Sequence, residues 1–100
     1  MSIQVFTINL AQSTLDDVRE RLARARWPAE VEGAGWDYGT NVAYLKELVD
    51  YWQHTFDWRA QEAKLSHFAQ IRAEIDGVHL HFVHERAQRG SGIPLILTHG

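Results

Sequence analysis

The sequence predicts an α/β protein with its helices first, on three observations. Apolar residues recur at helical spacing up to about residue 68. An alternation of period two then brackets Asp76-Gly77, and an unbroken apolar run, Ile93-Pro94-Leu95-Ile96-Leu97, follows. That run is too short for a helix and has the composition of a strand buried on both faces, so it calls for a sheet around it. The change of period near Phe68 divides the chain into a helical region, residues 1–68, and the start of a sheet, residues 69–100.

In chain order, residues 3–10 form a β-rich run with imperfect alternation and predict a short strand. At Ser13 the pattern changes. Ser13 stands three residues ahead of Asp16, and Leu15, Val18, Leu22 and Ala25 repeat at helical spacing, which predicts a helix from about Thr14 to Trp27 that Pro28 stops. Arg19, Arg21, Arg24 and Arg26 are expected as solvated surface charge in its middle and last turns. Residues 29–39, with three glycines, read as a loop held by Trp36 and Tyr38. Thr40 or Asn41 caps a second helix with the apolar stripe Val42, Leu45, Leu48, Val49, Trp52 and Phe56. Asp57 caps a third, running to about Leu65. Ile71, Ala73 and Ile75 then alternate against Gln70, Arg72 and Glu74, and Val78, Leu80 and Phe82 repeat the alternation beyond Asp76-Gly77, a strong hairpin signal.

Composition bounds the chemistry. The 100 residues are 45% hydrophobic and 23% charged with a net charge of −3, the profile of a folding chain and not of a nucleic-acid binder or a ligand of anionic membranes. There is no cysteine, hence no disulfide framework and no thiolate metal site. The first ten residues lack a basic stretch leading into an apolar run, so neither a signal peptide nor a membrane span is expected there. No glycine-rich phosphate loop and no G-x-S-x-G elbow occurs.

Few clusters suggest a site. His79 and His81 share a strand face with His84 close by, but without cysteine the set reads as polar-face histidines of an edge strand, and no metal is expected. Asp57 and Glu62, five apart on a helix, face different ways, so capping accounts for Asp57. Trp27, Trp36, Trp52 and Trp58 are expected as aromatic packing before a ligand wall. The last feature is Thr98-His99-Gly100 at the end of a buried strand, where open α/β folds place ligands and where glycine permits close approach.

Several segments carry a resemblance when read together. They are Arg21-Leu22-Ala23-Arg24 with Arg26-Trp27-Pro28, Gly35-Trp36-Asp37-Tyr38-Gly39, Tyr44-Leu45-Lys46-Glu47-Leu48 with Tyr51-Trp52, and Asp57-Trp58-Arg59 with Glu62. Asp76-Gly77, His81-Phe82 and Pro94-Leu95-Ile96-Leu97 up to His99-Gly100 complete the series. In this order they resemble the N-terminal region of the microsomal-type and juvenile-hormone-type epoxide hydrolases and their soluble bacterial relatives, in the α/β-hydrolase superfamily. Ser66 stands where such sequences usually have asparagine, and Thr98 where they often have leucine.

The resemblance implies a helical N-terminal meander that wraps a catalytic core and packs against a cap domain, followed by the first three strands of an α/β-hydrolase sheet. It implies that His99 and Gly100 begin an H-G-x-P motif flanking an oxyanion hole, with the motif's third residue after Gly100. By the family mechanism, an aspartate attacks an epoxide carbon to give an alkyl-enzyme ester, two cap tyrosines assist ring opening, and a histidine paired with a carboxylate activates water. All of these groups would follow Gly100, so the 100 residues alone are expected to be inactive. The expected enzyme takes a small-molecule epoxide, uses no cofactor or metal, and is soluble and cytoplasmic, because the matching region starts within a few residues of Met1; a homo-oligomer stays open. The alternatives are another α/β-hydrolase, an esterase or dehalogenase, and a non-catalytic helical binding module.

Overall fold

The computed structural model describes residues 1–100. Its elements are β1 (Ser2–Val5), α1 (Gln12–Ala23), α2 (Val42–His54), α3 (Trp58–Leu65), β2 (Gln70–Ile75) and β3 (Val78–Val83), so the predicted α/β class holds. The chain forms two compact units, one of residues 9–61 and one of residues 1–8 with 62–100. No helix is long and apolar enough to cross a membrane.

In the helical unit, α2 is built as its sequence dictates. Asn41 adopts an extended backbone and its Oδ1 accepts from the Tyr44 N–H at 3.0 Å, satisfying a donor that the first turn leaves free. The Glu30 carboxylate reaches the same end, accepting from Asn41 Nδ2 at 3.3 Å, where negative charge meets the positive pole of the helix. Asp57 caps α3 in the expected way, accepting from the Ala60 N–H at 3.1 Å.

α1 departs from expectation at both ends. It begins at Gln12 with Ala11 as its cap residue and no side-chain cap, so Ser13 lies inside the helix. Asp16, expected to complete a capping box, instead accepts from Gln12 Nε2 at 2.9 Å. The helix stops at Ala23, short of Pro28, where Arg24 and Ala25 donate to Arg21 and Leu22 in the i→i−3 pattern that tightens a last turn. The arginines are surface charges as expected. Arg21 pairs with Asp17 at 2.8 Å and Arg24 with Glu20 at 3.0 Å, each one turn apart on the exposed side.

The other unit is an antiparallel sheet in the order β1-β2-β3. Register puts Ile71, Ala73 and Ile75 of β2 opposite Phe82, Leu80 and Val78, with Ile3 and Val5 of β1 on the same face. The opposite face carries Gln70, Arg72 and Glu74 beside His81 and His79. The sequence alternation thus becomes one apolar and one polar face. Asp76 and Gly77 both have positive φ, 51° and 78°, as a two-residue turn of the right hand requires.

Two strand expectations change. β1 ends at Val5, with one further bond from the Phe6 N–H to the Gln70 carbonyl, because pairing with β2 and not its own alternation sets its length. The run 93–97, expected as a strand buried on both faces, is unpaired and open, with Ile93 94% and Ile96 90% exposed. Both edges of β2 are taken by β1 and β3, so this small sheet offers no position flanked on both sides.

Substitution at the caps separates these helix starts. Asn41→Ala is expected to cost about 1 kcal/mol in chemical denaturation, whereas Ser13→Ala costs no more than about 0.3 kcal/mol, since Ser13 caps nothing. Gly77→Ala is expected to destabilise by about 1 kcal/mol, because an L side chain at φ 78° is strained even with open space around it.

Candidate functional site

Only Ala73 and Gln70 are buried, so the informative surfaces are those left open. In the helical unit, Leu15 and Val18 of α1 face Leu48 and Trp52 of α2, with Trp58 at the start of α3, around an apolar groove of about 560 Å³. Arg19 is the one charged residue at this groove. Leu15, Val18, Phe56 and Trp58 are half-buried, while Leu48 is 46% and Trp52 48% exposed, so the stripe that the α2 sequence predicts is only partly covered within the unit. The four tryptophans do not form one wall. Trp36 meets Tyr44 at a tilt of 57° with ring centres 5.2 Å apart, and the Lys46 ammonium lies 5.8 Å from the centre of the Trp27 ring.

The histidine group separates on inspection. His79 and His81 lie on the polar face of β3, an edge strand, as the alternation predicts. The His81 ring meets that of Phe6 at 5.2 Å and its Nε2 lies 2.7 Å from Gln70 Oε1. No group of three or more His, Asp or Glu side chains converges. Asp57 is occupied as a cap, and Glu62 offers its backbone carbonyl to the Ser66 hydroxyl at 2.8 Å.

His99 and Gly100 lie just past the open 93–97 run, and both are exposed. A side chain at Gly100 would meet nothing within 4 Å. The chain reaching them is directed from β3. The His84 N–H donates to the Ala69 carbonyl at 3.0 Å, and Glu85 Oε1 accepts from the Ala69 N–H at 2.6 Å. The partner of Glu85 is 16 residues away in sequence, so local pattern does not reveal it.

Solved structures share this arrangement. The Aspergillus niger epoxide hydrolase superposes with a TM-score of 0.78 at 29% identity, over 89% of this chain and 24% of that one. The juvenile hormone epoxide hydrolase of Bombyx mori gives 0.81 at 25% identity, over 92% and 22%. The fold is therefore the opening segment of an α/β-hydrolase of the epoxide hydrolase type.

Sequence comparison agrees and narrows the class. A protein of Stigmatella aurantiaca is 40% identical over 98 residues, and Epoxide hydrolase 1 of Sus scrofa is 33% identical over 103. Juvenile hormone epoxide hydrolase 1 of Ctenocephalides felis is 31% identical over 103 residues, covering all of this chain. Residues 3–100 match the model of the family described as epoxide hydrolase N terminus, and the chain belongs to that family. It spans 22–23% of the length of these relatives.

The Glu85 anchor is testable by exchange. Glu85→Ala is expected to cost about 1 kcal/mol locally, read as roughly fivefold faster amide exchange at Ala69, with Glu85→Gln recovering most of the protection.

Proposed function

We propose that the protein containing these residues is an epoxide hydrolase that converts small epoxides to vicinal diols through a covalent alkyl-enzyme ester. The match of residues 3–100 to the epoxide hydrolase N-terminal family carries this assignment. The nucleophilic aspartate, the ring-opening tyrosines and the histidine-carboxylate pair belong to the longer chain. Attack of the carboxylate on an epoxide carbon breaks the C–O bond, the tyrosines protonate the departing oxygen, and activated water then cleaves the ester to release the diol. No cofactor or metal takes part.

Within this scheme residues 1–68 act as the meander, apart from β1, which pairs into the sheet, and residues 69–100 as the start of the core. The open groove along α1 and α2, the apolar sheet face and the exposed 93–97 run support this division of labour, since each presents apolar surface that the cap and core of the same chain would cover. His99 and Gly100 flank the oxyanion hole, whose N–H groups hold negative charge during ester hydrolysis. Gly100 keeps the backbone accessible there. The enzyme is soluble and cytoplasmic, as the likeness to soluble bacterial relatives implies, and self-association is compatible with this arrangement.

The full-length protein is expected to convert a styrene-oxide-type substrate to its diol, while residues 1–100 alone give no turnover. Absence of diol formation by the long chain contradicts the assignment; diol formation by the short one contradicts the placement of the catalytic groups after Gly100. The short chain is further expected to bind a hydrophobic dye and the long chain to do so weakly, because the groove and the 93–97 run are then covered.

A further inference from the structure

Gln70 is buried to 6% exposure, although its side chain carries both donors and an acceptor and has no part in the proposed chemistry. Burying an amide is costly unless it is satisfied, and here both ends are. Gln70 Nε2 donates at 2.7 Å to the carbonyl of Leu65, the last residue of α3, which also accepts from the Phe68 N–H at 3.2 Å. Gln70 Oε1 lies 2.7 Å from His81 Nε2 on β3.

We propose that Gln70 and His81 form a polar latch that fastens the end of α3 to the sheet and holds His81 as the Nε2–H tautomer. The logic is one of donors and acceptors. A carbonyl can only accept, so the Leu65 oxygen fixes which end of the Gln70 amide faces it. The amide oxygen is thereby turned to His81, and a bond between that oxygen and Nε2 requires the proton on Nε2. The Phe6 ring packs beside the imidazole, and the Phe6 N–H donates to the Gln70 carbonyl at 2.9 Å, so β1 is bound to the same residue. One side chain thus joins the helix terminus to the far edge strand, and its backbone holds the near one.

The unsubstituted full-length protein, labelled with ¹⁵N-histidine, tests the tautomer without any variant. At a pH where imidazole is neutral, His81 is expected to show the Nε2–H signature; a dominant Nδ1–H form or an averaged mixture overturns the latch. Two variants test its mechanical role. His81→Leu is expected to speed amide exchange at Phe6 and His84 roughly ten- to a hundredfold, because it leaves the buried Gln70 oxygen without a donor. His81→Gln, which retains an N–H donor, is expected to restore most of that protection. Equal exchange in both variants overturns the donor role, leaving only packing against Phe6.

Discussion

The Ala69–Gln70 junction is the constraint on which the sheet unit depends. Five hydrogen bonds meet at these two residues: from the Phe6 and His84 backbones, from the His81 ring, from Gln70 to the end of α3, and from the Ala69 N–H to Glu85. The chain leaving α3 thus enters the central strand with its donors and acceptors already committed. Of these groups the Gln70 amide is the buried one, whose loss of a partner costs about 1–3 kcal/mol, and with the bonds around it this defines where β2 begins. Once β2 is placed, register follows on both sides, because a slip of one residue would turn Ile71, Ala73 and Ile75 to the polar face.

That junction also directs the chain toward the region of functional interest. His84 and Glu85 are tied to Ala69 before the polar loop runs to the 93–97 segment and on to His99 and Gly100.

The two units have one property in common, an apolar side left open. Leu80 and Phe82 on the sheet remain 47% and 39% exposed, close to the values for Leu48 and Trp52 along the groove. Burial is the main source of folding free energy, roughly 25 cal/mol per Å² of apolar surface, and at half exposure much of it is still to be gained. A chain that spans 22–23% of its relatives and shows its apolar faces in this way has the surface of a segment shaped for cover.

The sequence by itself determined most features set by near neighbours, the start of α1 excepted. Asn41 and Asp57 cap the helices that follow them, Asp76-Gly77 makes the turn its φ values require, and alternation sorts the faces of β2 and β3. The ordered series of segments from Arg21 to Gly100 was likewise enough to indicate the family that the comparison shows. Tertiary structure decided what depends on distant partners. β1 took its length from pairing with β2, more than sixty residues away in sequence. Gln70, an ordinary polar position in the alternation, became the buried joint of three elements only because Leu65 and His81 arrive from either side. The 93–97 run shows the same division: its composition names a buried strand, but a strand exists only where another chain segment offers it a ladder. Local preference is written in adjacent residues, whereas pairing and burial are properties of what folding brings alongside.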